Sequence, residues 1–511
     1  MNNDRNAINA RGAAFIFAVA AIALAIRLVH IAMTAKYNPI ASDLVIDAAV
    51  YDRWAQAMAF GGAPGPTQIM QSPFYPWLLS LIYRLFGADL LAVRIVQALM
   101  GTASCIFVTF ITIRYFGVAA AVIAGLLATF YLPAIFYEGI LVPATVVVFL
   151  NLLFVVLLAA GRESPGMLRL LLAGAVLGIS AVARPTALLI APFALLHLLL
   201  AMRGRGGRAE APGAIGRQIA PFILGLVIAV SPLAIRNSML TGEFTPLTTG
   251  GGISFYIGAN PNANGFYTVP VYKGISISAD PEEMSRDIQQ IASAETGREL
   301  GGGEISRFWF RAGLRYAFEH PRRWAALTWQ KFVFFWNRYE RANVESISLH
   351  RRFRGVLQLP LFTFGLVAPL GIIGIFLTRE RWRGLWLLYG GVLAYLLAAL
   401  IFYVLARYRL PVVPFLLPFA GAGIIEIVVL ARKKRFLELF LVFAALTTLY
   451  YFVNYKVASD TAHGVSSGLT RVGNAYLAQG KKERAIEAYR EAIAVDPGNR
   501  EARANLETIV P

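Results

Sequence analysis

The stretch DLVIDAAVYDRW, Asp43 to Trp54, places three aspartates within twelve residues of a chain that is 57% hydrophobic and carries a formal net charge of +18. An aspartate in such a chain is either in water or in use, because an isolated carboxylate in apolar surroundings is costly. Other ionisable groups stand at or near the ends of apolar runs: Arg27, Arg94, Glu138, Arg184, Arg236, Arg407 and Arg409. Singly, each arginine reads as an end anchor, its stem on apolar surface and its head at the interface. Ionisable groups within a span are usually paired or functional. Taken together with Asp43, Asp47, Asp52 and Arg53, they outline a cavity on one membrane face that holds carboxylates and cations. A carboxylate facing arginines at a lipid interface suits one reaction. The acid takes a proton from an acceptor hydroxyl, and the arginines hold a phosphate leaving group on a long lipid. This is glycosyl transfer from a polyprenyl-phosphate sugar.

Other chemistries lack their residues. The sequence has no HExxH, no GxSxG, no Walker A loop and no dinucleotide fingerprint. Its five histidines, at 30, 197, 320, 350 and 463, show no ligand spacing. No cofactor requirement is visible, and a divalent cation would have no ligand cluster. The single cysteine, Cys105, excludes an intramolecular disulfide. The glycines of GAVLG, Gly174 to Gly178, suit close helix packing. Those of TTGGGI and GGGEI have the composition of anion-binding turns.

The elements that must position these groups are transmembrane helices. Charged residues make up 15% of the chain, against about 25% in soluble domains, and mean hydropathy is +0.60. Eleven segments have the length and apolarity to span: 12–33, 91–113, 118–137, 139–160, 168–183, 185–202, 218–235, 356–378, 385–405, 410–430 and 436–453. The first is too long for a signal-peptide core and reads as a retained span. Basic loops such as GRESPGMLR, RGRGGRAEAPGAIGRQ, TRERWRG and ARKKR fall on one side, which the positive-inside rule makes cytoplasmic. Segments 34–90 and 236–355 and the tail then lie outside, with the N-terminus cytoplasmic and the C-terminus extracytoplasmic. The expected fold class is an all-α integral membrane protein. Residues 76–86 and 304–341 read as interfacial helices, the latter mixing aromatics with arginines. The basic excess belongs to membrane lipids rather than nucleic acid, since the arginines are scattered through apolar segments.

The tail is of another kind. In RVGNAYLAQGKKERAIEAYREAIAVDPGN, residues Gly473, Tyr476, Ala485, Tyr489, Ala492 and Pro497 sit at tetratricopeptide spacings. The division expected is a membrane domain, 1–453, and a helical tail, 454–511, with one repeat at about 466–499. A lone repeat must pack on the membrane domain or on a protein partner.

VIDAAVYDRWAQAMAFGG, SPFYPWLLSLIYRLFG, RIVQALMG, AVARPTALL and RYRLPVVP together resemble the bacterial GT-C glycosyltransferases, most closely the family 39 type, kin to protein O-mannosyltransferases and lipid A aminoarabinose transferases. The resemblance runs from residue 12 to about 430. The loop Thr245–Pro270 resembles a segment of members with tetratricopeptide tails. The resemblance implies a GT-C-type bundle in the bacterial cytoplasmic membrane, a polyprenyl-phosphate sugar donor and inverting displacement on the outer face. The family's catalytic acid stands in a pattern close to Asp-Glu-x-x-Tyr. The matching window begins at Asp47 and ends at Tyr51, with Ala48 where relatives carry a second acid. The resemblance therefore makes Asp47 the general base, with Glu138, Asp52 and Tyr51 as supporting groups. Arg184, Arg407, Arg409, Arg27 and Arg94 are the donor-phosphate candidates. Asp52 is expected to pair with Arg53 or to cap, and Asp43 has no assigned role. The acceptor, whether glycan, lipid or protein, stays open. So do two other readings: an oligosaccharide ligase or polymerase using a diphosphate-linked glycan, and a non-catalytic transporter or assembly protein.

Overall fold

The computed structural model describes residues 2–62, 70–159, 165–203, 212–342 and 344–510. Arg162, Arg205 and Arg208, which contribute to the expected orientation, lie outside the described residues. Among the described residues, five helices are long and apolar enough to cross a membrane: Gly12–Tyr37, Leu90–Phe116, Gly216–Thr241, Ala406–Arg432 and Phe436–Asn454. Shorter apolar helices are Val118–Thr129, Ala144–Ala159, Met167–Ala183, Pro185–Ala201, Phe364–Leu377 and Trp386–Ile401. Each of these eleven segments coincides with one expected span, and the protein is an all-α membrane protein with a small helical tail. The β-structure among the described residues is a hairpin pairing Val271–Tyr272 with Ile275–Ser276, plus two isolated bridges.

Prolines account for where the spans depart from expectation. The segment 118–137 is two helices, Val118–Thr129 and Leu132–Glu138, with Pro133 in the first turn of the second. At the break, the Leu132 N–H donates to the Phe362 carbonyl and the Phe362 N–H to that of Phe130, each at 2.9 Å. Those bonds satisfy groups that a continuous helix would have paired internally. The following helix starts only at Ala144, after Pro143. The segment 304–341 breaks at His320 into Gly302–Glu319 and Pro321–Trp336, because the residue before a proline is pushed out of the helical region.

Small residues set a close helix crossing. A Cβ on Gly174 would stand 1.9 Å from the Phe222 carbonyl oxygen, and one on Gly225 2.0 Å from that of Leu171. The helices carrying them therefore meet backbone to backbone, the packing expected of GAVLG.

The segments placed outside by the sequence share one face. Arg53 of the first pairs with Glu282 of the second at 2.9 Å. Asp460 of the tail accepts from Tyr339 at 2.9 Å. Amphipathic helix Phe74–Phe86 buries Tyr75, Leu79 and Tyr83 and exposes Leu81, Leu85 and Phe86. In the tail, Ala462–Ala478 and Lys482–Val495 pack antiparallel, followed by Arg500–Ile509. Tyr489 lies in their core, against Gly473.

Candidate active site

A cavity of about 270 Å³ opens between the two outer segments and the membrane helices, with Asp47, Arg184, Arg407 and Tyr408 in its wall. Three breaks in helical structure bring these side chains to it.

Asp47 is the first residue of helix Asp47–Phe60. Ile46 before it has φ 52°, a conformation that costs a β-branched residue about 1–3 kcal/mol and persists only where the surroundings hold it. Ile46 supplies no side-chain cap, and the negative charge of Asp47 in the first turn suits the helix dipole. Arg184 interrupts an apolar segment. Pro185 keeps it extended, at φ −152° and ψ 112°, between helix Met167–Ala183 and the 3₁₀ turn Pro185–Ile190. Arg407 follows an extended stretch in which Val404 N–H donates to the Gly265 carbonyl at 2.9 Å and Ala406 N–H to that of Arg341 at 3.1 Å. The backbone of the second outer segment thereby fixes the start of helix Ala406–Arg409.

In the cavity, Arg407 Nη2 is 2.5 Å from Asp47 Oδ2, and the two side chains are only 9% and 11% exposed. Gln71 Nε2 donates to Asp47 Oδ1 at 3.2 Å. The Arg184 guanidinium lies 3.6 Å from the centre of the Tyr408 ring, and that of Arg407 lies 5.1 Å from it. Among the described residues, no carboxylate pairs with Arg184. Tyr51, Tyr267 and Tyr403 complete an aromatic lining. Burial, and then the Asp47 charge, push the Tyr51 hydroxyl well above its ordinary range. Burial pushes Tyr267 up to about 12, so both phenols stay neutral hydrogen-bonding groups.

Other sequence candidates are engaged elsewhere. Arg27 and Glu138 form a buried two-point pair, Nε to Oε2 at 2.7 Å and Nη2 to Oε1 at 3.0 Å, beside a separate pocket of about 40 Å³. Arg94 donates to the carbonyls of Gly139, at 3.1 Å, and Ala41. Arg409 lines the cavity wall, but its guanidinium pairs with Glu340 at 2.8 Å, donates to the Phe335 carbonyl at 3.1 Å and stacks over Phe364 at 4.0 Å. Asp52 accepts from the Tyr83 hydroxyl at 2.5 Å and from Gln56 at 2.8 Å, whereas Arg53 goes to Glu282 rather than to Asp52. Thus Asp47, Tyr51, Arg184 and Arg407 are brought together. Gln71, Tyr408, Tyr267 and Tyr403 join them without having been singled out by sequence. Gly250 and Gly251, from TTGGGI, also reach the wall. No cluster of three His, Cys, Asp or Glu side chains suited to a metal ion occurs among the described residues.

Residues 70–230 match the family described as dolichyl-phosphate-mannose-protein mannosyltransferase, and residues 466–499 match the tetratricopeptide repeat. The first match includes Gln71 and Arg184, and the resemblance read from the sequence is borne out over that stretch. No curated protein matches the chain. Among solved structures, the oligosaccharyltransferase AglB from Archaeoglobus fulgidus, in complex with an inhibitory peptide and a dolichol-phosphate, aligns at 13% identity and TM-score 0.44, over 94% of this chain and 59% of that one. ArnT from Cupriavidus metallidurans, bound to undecaprenyl phosphate, aligns at 13% identity and TM-score 0.39, over 81% of this chain and 77% of that one. The chain thus spans less than two thirds of the archaeal protein's length.

Proposed function

We propose that the protein is a glycosyltransferase that moves a sugar from a polyprenyl-phosphate donor to an acceptor hydroxyl. The observation that carries this reading is the grouping of Asp47, Arg407 and Arg184 in one cavity, one carboxylate facing two guanidiniums. Asp47 takes the proton of the acceptor hydroxyl, whose oxygen bonds to the sugar's anomeric carbon. The bond from that carbon to the phosphate oxygen breaks on the opposite side, and the polyprenyl phosphate leaves. A base so placed is worth about 10²–10⁴-fold in rate. Arg184 and Arg407 hold the phosphate as its charge grows, where preorganised cations act most strongly. The Tyr408 ring lets two like charges stand close together before the phosphate arrives.

The reaction is proposed to take place at the extracytoplasmic face of a bacterial cytoplasmic membrane; the polar and charged groups that segments 34–90 and 236–355 bring to one face, and the basic loops of the sequence on the other, support this reading. The N-terminus is then cytoplasmic and the tail outside. At about 270 Å³ the cavity lies just below the usual pocket range of about 300–1,000 Å³, which suits one sugar and its phosphate.

The test uses purified protein in detergent, a set of radiolabelled undecaprenyl-phosphate hexoses and pentoses, and a membrane extract as the acceptor fraction. Release of undecaprenyl phosphate from one donor is expected, and its loss in folded Asp47→Asn. Consumption of no donor, with solute movement in proteoliposomes instead, would establish a transporter.

A further inference from the structure

We propose that the tetratricopeptide tail is an intramolecular clamp on the catalytic loop, with Arg471 as a positioning residue for Asp47. This rests on the reading of Asp47 as the base.

Arg471 lies on the first tail helix. Its Nε donates to Asp43 Oδ2 at 2.9 Å and its Nη2 to the Asp43 carbonyl at 3.2 Å. The same Nη2 donates to Glu345 Oε1 at 2.9 Å. One guanidinium thus joins two segments distant in sequence. The connection continues: Glu345 Oε2 is 3.2 Å from His350 Nε2, and His350 Nδ1 is 3.1 Å from Asn38 Nδ2. Asn38 Oδ1 accepts from the Ile40 N–H at 3.1 Å. An apolar contact lies beneath, where Ile40 and Leu349 of the membrane domain meet Val472 and Ala488 of the tail. Arg352 and Glu491 close its rim at 2.6 Å.

These contacts converge on residues 38–43. Only Leu44, Val45 and Ile46 separate that stretch from Asp47. Ile46 has the unfavourable positive φ that sets the direction of the helix start, and such a residue is held by what surrounds it. On one side Arg94 donates to the Ala41 carbonyl; on the other Arg471 holds Asp43. Without the second hold, the strain at Ile46 can relax by moving residues 43–47, and Asp47 moves with them. The repeat also meets its own need. A single repeat cannot bury its apolar face alone, and here Val472 and Ala488 spend it on Ile40 and Leu349. That face is therefore not open to an outside protein.

The full-length protein is assayed with the undecaprenyl-phosphate sugar that the wild type consumes. Arg471→Ala should lower kcat by about ten- to a hundredfold, the scale of an ångström-sized misplacement, and leave the donor KM unchanged. Arg471→Lys, which keeps the charge, should recover part of the loss. Asp43→Asn with Arg471→Ala should be no slower than Arg471→Ala alone. A wild-type kcat in Arg471→Ala with a lowered melting temperature would overturn the clamp, leaving the contact purely structural. Additive losses in the double variant would overturn it too. Should Arg471→Ala not fold, Asp43→Lys, which sets a like charge against the guanidinium at a half-exposed position, gives the same test: a wild-type kcat overturns the clamp. Full turnover by Asp47→Asn would instead defeat the reading of Asp47 as base. An inactive Asp47→Asn beside a fully active Arg471→Ala defeats the clamp alone.

Discussion

Asp47→Asn removes a charge 2.5 Å from Arg407, in a pair whose side chains are 11% and 9% exposed. Removing one member of a buried pair costs about 3–5 kcal/mol, because the other charge stays buried. The cavity mouth admits water, so a loss near the lower figure is expected. The same geometry predicts a gain. On the proposed reading, a donor phosphate must share Arg407 with Asp47 in the wild type; in the variant the phosphate meets the guanidinium without that competitor. Undecaprenyl phosphate should then bind Asp47→Asn more tightly than wild type, by about tenfold for each 1.4 kcal/mol of competition removed. It should also restore most of the lost thermal stability, since a ligand that binds only the folded state raises its stability. Meanwhile kcat should fall by about 10²–10⁴-fold. The assay is thermal denaturation of both proteins in detergent across an undecaprenyl phosphate titration, with turnover measured in parallel. Equal or weaker phosphate stabilisation of a folded Asp47→Asn would refute a phosphate site at Arg407.

Further outcomes follow from other contacts. Tyr408 presents its ring to Arg184 at 3.6 Å and to Arg407 at 5.1 Å, so Tyr408→Leu should raise the donor KM about tenfold, from cation–π contacts worth about 0.5–2 kcal/mol each, while Tyr408→Phe stays near wild type; an unchanged KM in Tyr408→Leu counts against the shared ring. For the interior pair of Arg27 and Glu138, Glu138→Gln or Arg27→Met alone should cost about 3–5 kcal/mol, and Arg27→Met with Glu138→Met together much less. Thermal denaturation decides, and additive losses would show that the pair is not a unit. Burial pushes Lys331 down to about 8 from 10.5, so the unfolded chain binds the extra proton between those values and stability rises with pH across that window. Lys331→Met should therefore gain about 3 kcal/mol more relative to wild type at pH 7 than above pH 10.5, and equal differences at the two pH values refute this.

The span pattern was legible because hydropathy acts over some twenty residues and survives local breaks. Arg184 was legible because an ionisable residue inside an apolar run must find a partner, a cavity or an interface; that Pro185 holds it extended there is what the structure adds. Glu138 and Arg27 were not separable from the site by sequence. Both stand near an outer end of an apolar run, and only the packing of their helices turns them towards each other and away from Asp47. Arg409 shows the same limit within three residues. It follows Arg407 by two positions, yet its guanidinium goes to Glu340 while that of Arg407 goes to Asp47. Gln71 and Tyr408 carried no signal, since their role depends on a neighbour from another segment. Asp43 had no role in sequence because its partner, Arg471, is 428 residues away.

The charges of the cavity favour the proposed donor over a diphosphate-linked one. Among the described lining residues, Asp47 is the carboxylate, and the cations are Arg184, Arg407 and Arg409. Glu340 offsets Arg409, and Asp47 offsets one of the other two. One positive charge is left over. A sugar linked through a single phosphate is a diester of charge −1 and balances it; one linked through a diphosphate brings about −2 and exceeds it. In the proposed reaction, the phosphate gains a second negative charge as the sugar leaves, while Asp47 takes up the acceptor's proton and loses its own charge. Arg407 is then released from the carboxylate as the phosphate comes to need it. The cavity is thus neutral both before and after transfer, whereas the two arginines without Asp47 would hold an excess positive charge until the sugar left, and the cation that Asp47 occupies in the free protein stabilises the leaving group at the point where its charge develops.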